Sequence, residues 1–558
     1  MDRDSEDYIP GTEHAFLDLK SDLKAADGSE LKRDGDIILI PQPSNSPNDP
    51  LNWGSARKYW HMLVVCFITA LTAATSNDAG AAQNNMNQYL GIPWSVFNTG
   101  SGVLFIGIGY WTLLQSPTAF LYGRRIGYIV CMFMGLIGSL WFGYVKTGSD
   151  AIWSQLFVGI SESVAEAQVQ LSLMDVFFQH RASFAISLYV MCTSIGTYLG
   201  PLIAGYVSDN VGSEWVGKLG AITSAFAMVV VYFGLEETYF DRKSYLSSTC
   251  EGVSRSDGIT VSDSKLLEAS VIQEVNEAEI SSTFTRPKPQ HVEIVPESKK
   301  NYWARIKLIT RASNLKGSGI KQYVKRLFLT LRVFCFPAVL YSGLQWGGQD
   351  AWLTFYISAE EDNWSEAPYN YGDPGVSIMN IPTLIGALIG CFYGGYISDK
   401  IVYYLSKRNN GIQEAEFRLW AMLPTAVLSP LGMFLFGAGT QQDWFWFPSY
   451  FGLVLIGFGW GCCGDLSMSY LIDAYPNMVL EGMVGVSVIN NTLGMIFSFV
   501  CNSWMESMSI QNVFISVGVL DFVFIMTTIP MLIWGKKFRK LTRNLYFNFT
   551  EARDSMES

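Results

Sequence analysis

About a dozen uninterrupted apolar runs, each roughly 18 to 25 residues long, dominate this chain, and that is the length a helix needs to cross a hydrocarbon core of roughly 30 Å. At their best boundaries the runs are 59–82, 95–117, 126–146, 151–176, 184–208, 218–236, 333–358, 375–398, 417–438, 448–474, 482–503 and 511–534. A bilayer cannot satisfy exposed backbone polar groups, so runs of this length are expected to be helices. The expectation is an all-α, polytopic membrane protein with twelve spans. Composition agrees, with only 16% charged residues against roughly a quarter in ordinary soluble proteins. The net charge of −11 lies mostly outside the runs and describes tails and loops, so no nucleic acid partner is expected. Met1 is followed by Asp2, Arg3, Asp4, Glu6 and Asp7 without an early apolar core. No cleavable signal peptide is expected, and the first span should direct insertion.

The runs fall six and six, which divides the chain into an N-terminal tail (1–58), a first half (59–238), a central loop (239–332), a second half (333–534) and a C-terminal tail (535–558). The central loop begins acidic and serine-rich, from Ser244 to Ser298, which predicts disorder. It ends basic and aromatic (Lys299, Lys300, Trp303, Arg305, Lys307, Arg311, Lys321, Lys325, Arg326), which predicts an amphipathic helix on an anionic leaflet. Short-loop lysines and arginines (Arg124, Arg125, Arg181, Lys400, Lys407, Arg408, Arg418) share a side with the basic tail at Lys536, Lys537, Arg539 and Lys540, so both termini are expected to be cytoplasmic. The loop after the seventh run is then external. It carries Glu360, Glu361, Asp362, Glu366 and Asp373, a negative vestibule that would gather cations, and a glycosylation acceptor at Asn363-Trp364-Ser365.

Enzyme signatures are absent from the sequence. The four histidines (His14, His61, His180, His291) form no metal-ligand pair, the nine cysteines show no regular spacing, and no phosphate-cradling glycine loop or nucleophile elbow stands out. No metal, cofactor or catalytic residue is expected, and any transport should be driven by gradients.

A census of charge inside the runs is more informative. Carboxylates occur at Asp78, Glu162, Glu166, Asp175, Asp350, Asp465, Asp473 and Asp521, and no lysine or arginine lies clearly within a run. Each such charge costs several kcal/mol and normally faces a cavity or a partner. The counter-charge must come from protons or from a cationic substrate. Glu162 and Glu166 are four apart, so a regular helix aligns them in a polar stripe with Gln155, Gly159 and Gln170. Like charges one turn apart repel, which marks the pair as candidates to hold a proton. Asp350 and Asp465 are deep enough to meet substrate. Gln349, Trp346, Tyr356 and Trp460 share runs with them and suit an alkylammonium through hydrogen bonding and cation–π attraction. Asp175 and Asp473 close the fourth and tenth runs, where pairing with loop arginines such as Arg124 and Arg125 suits gating, although Asp473 is also a proton-coupling candidate. Asp78 lies near the outer end of the first run and divides evenly between substrate contact and a local turn. Asp521 reads as local packing.

Two internal echoes relate the halves: LSLMDVFF, which contains Asp175, with SMSYLIDAYP, which contains Asp473, and FLYGRRIGY (120–128) with GYISDKIVY (395–403), which holds Asp399. The fifth run contains Gly196, Gly200, Pro201 and Gly205 within GTYLGPLIAGY, a small-residue face with a bend. This segment resembles the antiporter motif of the twelve-span drug:proton antiporter branch of the major facilitator superfamily. The prefix PQPSNSPNDPLNW, the EETYF after the sixth run and RNNGIQEAEFRL after the eighth are similar to fungal members. TAATSNDAGAAQ, VGISESVAEAQVQLSLMDVFFQHR, IMNIPTLIGALIGC and GDLSMSYLIDAYPNMVLEGM are similar to yeast plasma-membrane polyamine permeases of that superfamily. The resemblance covers nearly all of 37–540. It implies two pseudo-symmetric six-helix halves, a midplane substrate site and import of spermidine, spermine and putrescine at the plasma membrane. The chain departs from the pattern in two places: Gln155 stands where the fourth span usually carries an arginine, and the first loop motif lacks its usual aspartate. Both departures weigh against drug export coupled to protons, which is the alternative reading. A non-transporting receptor signalling through the central loop is a more distant one. Nothing in the sequence calls for an obligate oligomer.

Overall fold

The structure, a computed structural model, describes residues 9–14, 32–34, 37–39, 41–240, 298–312, 315, 317–364 and 367–555. The acidic, serine-rich part of the central loop lies outside the described residues. So do Ser365 and Glu366 and the side chains of Glu361, Asp362 and Asp373.

The first half is built from α1 (Ser55–Asn77), α2 (Gly80–Leu90), α3 (Trp94–Leu121), α4 (Arg125–Phe142), α5 (Gly148–Ser163), α6 (Val169–Val176), α7 (Gln179–Asn210) and α8 (Ser213–Gly234). A short α9 (Tyr302–Arg305) and α10 (Ile320–Thr330) precede the second half. That half holds α11 (Pro337–Trp364), α12 (Asp373–Ile378), α13 (Asn380–Phe392), α14 (Ser398–Arg408), α15 (Thr425–Gln441), α16 (Trp446–Ala474), α17 (Val479–Ser507), α18 (Ile510–Met526), α19 (Thr528–Leu541) and α20 (Arg543–Asp554). Two short antiparallel ladders complete the described part. One pairs β1 (Thr12–His14) with β4 (Ile412–Glu414), and the other pairs β2 (Arg33–Asp34) with β3 (Ile37–Ile38).

Among the described residues, ten helices are long and apolar enough to cross a membrane, and Ile320–Cys335 with Pro337–Glu360 forms an eleventh candidate bent by 83°. The expected fourth span lies outside that set because it is polar. It is nonetheless helical from Gly148 to Val176, with a single π-turn at Val164–Gln168 between α5 and α6. Its start is fixed by a capping box in which the Thr147 hydroxyl accepts from the Asp150 amide and the Asp150 carboxylate accepts from the Thr147 amide at 3.0 Å. The Thr147 hydroxyl and the Trp141 indole, both donating to it, hold the Asp150 carboxyl below the usual carboxylate range.

Within the halves α1 packs along α7, α3 along α5, α11 along α17 and α15 along α16; between the halves, α3 lies against α17 and α7 against α13. Small residues make the α1–α7 approach possible. A Cβ at Gly200 would stand 2.7 Å from the Ala74 backbone, and one at Gly196 would strike the Ala70 carbonyl. Pro201 and Gly205 follow, buried in the same helix.

One boundary differs from the sequence expectation in a way that matters. The seventh span does not end at 358; α11 continues to Trp364, which is fully buried, stacks on Tyr369 at 3.9 Å and donates to Thr440 at 3.1 Å. Protein, not lipid, covers this last stretch, so hydropathy does not register it. Glu360 is therefore a buried helical residue at 1% exposure and not a loop residue. Asn363 likewise sits half-buried in the helix, its amide donating to the Ala359 carbonyl at 3.2 Å.

Candidate functional site

Three carboxylates from two spans, the fourth and the seventh, converge at the centre of the bundle. Glu162 at the end of α5 reaches the hydroxyl of Ser76 on α1, and Glu166 in the π-turn reaches Ser487 on α17 of the other half. Asp350 on α11 accepts a hydrogen bond from the Trp460 indole on α16 at 2.8 Å and lies beside Asn490. Asp350 is close enough to act electrostatically on both glutamates. Among the described residues, the charged groups acting on these three are the three themselves, with no lysine or arginine.

The π-turn decides which side chains take part. A π-turn inserts an extra residue into the helical repeat and is common at functional sites. It breaks the expected stripe beyond it, where Gln170, fully buried, donates to the Met468 sulfur at 3.6 Å; ahead of it, Gly159 is pressed against the Leu104 carbonyl of α3. Only Glu162 and Glu166 remain with Asp350, while Gln155 lines the approach.

That approach is an open cleft between the halves, lined by Ser76, Asn77, Phe105, Gln155, Thr354 and Ser358 among others. It opens at the end of the bundle opposite the termini. Because Ser76 is both a wall of the cleft and the partner of Glu162, the cleft leads to the carboxylates.

Aromatic rings stand beside them. Trp346 lies 4.8 Å from Trp460, and Tyr198 of α7 meets Trp460 edge-on at 5.9 Å. Tyr356, fully buried, neighbours Tyr198 and Glu360. Tyr198, Ser487 and Asn490 escape sequence reasoning because a neutral residue in an apolar run carries no mark of the face it occupies. Glu360 escapes because the run ends before it.

Four sequence candidates stand apart from this group. Asp465 is fully buried on the seam between the halves, where Ser187 of α7 donates to it at 3.1 Å and the glycines of the π-turn Tyr393–Ile397 leave room for it. Gln349 points away from the cavity and donates to Asp521 at 2.6 Å, with the Trp352 indole joining at 3.0 Å. Asp521 is thus a cross-helix acceptor. Asp78 caps the end of α1 and, half-buried, faces Gly220 of α8. Asp473 is ion-paired with Arg418 at 3.0 Å.

That ion pair belongs to a set repeated in both halves. Arg418 also bonds Asp399 at 2.9 Å, and in the first half Arg124 pairs with Asp175 at 3.1 Å while Arg125, fully buried, donates to the Tyr232 carbonyl at 2.7 Å. With Ser187–Asp465 and Gln170–Met468 bridging the halves, the terminus-bearing end is closed while the cleft opens at the other.

The sequence profile of the Major Facilitator Superfamily matches residues 62–499. The chain belongs to the major facilitator superfamily. It is a multi-pass membrane transporter rather than an enzyme. A Schizosaccharomyces pombe protein described as an uncharacterized MFS-type transporter is 49% identical, with 98% of this chain and 96% of that protein aligned. The protein HOL1 of Saccharomyces cerevisiae is 47% identical over 99% of both chains. The MFS transporter cpaT of Aspergillus oryzae is 27% identical over 89% of this chain and 90% of its own.

Proposed function

We propose that this superfamily member imports polyamines (spermidine, spermine and putrescine, with tolerance of other organic cations) across the plasma membrane by alternating access, as a monomer with both termini cytoplasmic. The observation that carries the reading is the meeting of Glu162, Glu166 and Asp350, with no lysine or arginine acting on them among the described residues, beside Trp346, Trp460 and Tyr198. Several separate carboxylates suit a chain of amines better than a single charge. The aromatic faces suit the ammonium groups and the methylenes between them. Energy suffices: at about 2.3 kcal/mol per charge per 100 mV, a trivalent cation gains roughly 7 kcal/mol on moving inward, about five decades of accumulation. Glu162 and Glu166 are the groups positioned to add proton coupling. Asp465 and Asp473, with their serine and arginine partners, serve closure of the cytoplasmic end.

Cells expressing the protein should accumulate labelled spermidine and become sensitive to toxic polyamine analogues. Cells that instead expel preloaded lipophilic cations would support the drug-exporting reading, which the Gly196-to-Gly205 motif favours.

A further inference from the structure

Helix α10 precedes the seventh span and meets it at 83°, so it runs near the plane of the membrane at the end that carries the termini. Its residues Ile320, Val324 and Phe328, with Leu331 just beyond it, are 65%, 42%, 66% and 40% exposed. Their spacing places them in one stripe along the helix. Lys321, Lys325 and Arg332, all exposed, follow each of three stripe positions by one residue and form a basic row along one edge of it. The other side of the helix is filled by protein. The Tyr323 hydroxyl donates to the Leu114 carbonyl of α3 at 2.5 Å, and buried Arg326 lies over the Phe120 ring at 4.6 Å in a small pocket shared with Glu481 of α17 and Arg553 of α20. The helix thus rests on α3 of one half and α17 of the other, the two that form a seam between the halves.

An apolar stripe edged by cations is the pattern of a helix lying in a membrane interface, its apolar side among acyl chains and its lysines at the headgroups. The stripe continues the lipid-facing surface of the bundle, where neighbouring Leu114 and Leu340 are 44% and 47% exposed.

We propose that α10 docks on the anionic lipids of the leaflet at the terminus-bearing end, with Lys321, Lys325 and Arg332 taking the headgroups, and that this docking holds the α3–α17 seam. Charge complementarity and continuity with the lipid-facing belt favour a lipid surface over a protein partner.

The test is binding of fluorescent phosphatidylserine, competed by phosphatidylcholine, to the purified full-length protein. Wild type prefers phosphatidylserine. A lysine near an anionic surface contributes about a fivefold factor, so Lys321→Gln with Lys325→Gln weakens that preference roughly twenty-five-fold while the protein still elutes as a single folded species. Val324→Ser with Phe328→Ser weakens binding of both lipids. Equal affinity of wild type for the two lipids, or an unchanged preference in the lysine variant, overturns the proposal. Loss of the preference on removing residues 244–298, with the lysines intact, assigns the face to the central loop and overturns it equally. No arm involves polyamine, so failure here is separable from failure of the transport reading.

Discussion

The Trp460 indole donates to the Asp350 carboxylate at 2.8 Å, and the same ring is flanked by Trp346 at 4.8 Å and Tyr198 at 5.9 Å. One indole therefore fixes the orientation of the carboxylate and builds the aromatic wall beside it. Tyr198 comes from the first half and the other three from the second, so the wall assembles only when the halves are together.

Asp350→Asn removes the charge at the centre of this arrangement. Hydrogen bonds to charged groups are worth about 1.5–3 kcal/mol, so the KM for spermidine should rise about ten- to a hundredfold with protein level unchanged. Trp460→Phe keeps a ring but loses the donor and should raise KM less. Kinetics of uptake in cells check both, and a fully active Asp350→Asn protein would remove this carboxylate from the site.

Glu166 differs from Glu162 in reaching across to Ser487 of the opposite half, so its protonation is tied to the relative position of the halves. Glu166→Gln should abolish any stimulation of uptake by external acid while leaving the response to membrane potential. Glu162→Gln should lower affinity about tenfold, as loss of one charge-assisted bond. Uptake at several external pH values, with potential clamped by potassium and valinomycin, separates the two.

Arg418 holds Asp473 and Asp399 with its side chain 4% exposed. Breaking a buried pair from one side costs about 3–5 kcal/mol, so Arg418→Ala should lower the thermal unfolding temperature in detergent. Asp473→Asn added to Arg418→Ala should cost less than the sum of the single changes, because the second change relieves the carboxylate that the first leaves unpaired.

Gly200→Val places a branched side chain where a Cβ already stands 2.7 Å from the Ala74 backbone. The α1–α7 pair must part, which should abolish transport and reduce folded protein. Ser187→Ala at the Asp465 contact should leave folding intact and alter only the rate of turnover. Surface expression measured beside uptake distinguishes the two outcomes.

Much of this was legible in the sequence, for a physical reason. Bilayer thickness sets span length, so ten spans read from hydropathy coincide with helices that pass on length and composition, and the charge census includes the three carboxylates that meet, Glu162, Glu166 and Asp350, among its eight. Asp175 and Asp473 proved to meet Arg124 and Arg418, as carboxylates near basic loops should. What escaped depends on local backbone and on neighbours. The π-turn at Val164–Gln168 changes the helical phase without a sequence signal and takes Gln170 out of the stripe, while Gly159, ahead of the turn, is packed against the Leu104 carbonyl. Asp465 and Gln349 are polar in the same way as Asp350, and only the packing of Ser187 and Asp521 against them sets their surroundings apart from those of Asp350.

Uptake of labelled spermidine into proteoliposomes, with an inside-negative potential imposed and the pH gradient varied separately, tests the central claim most directly. The account predicts saturable, potential-driven accumulation that falls at least tenfold in Asp350→Asn. Absence of uptake by wild type, or accumulation equally strong in a Glu162→Gln, Glu166→Gln, Asp350→Asn triple variant, would contradict it.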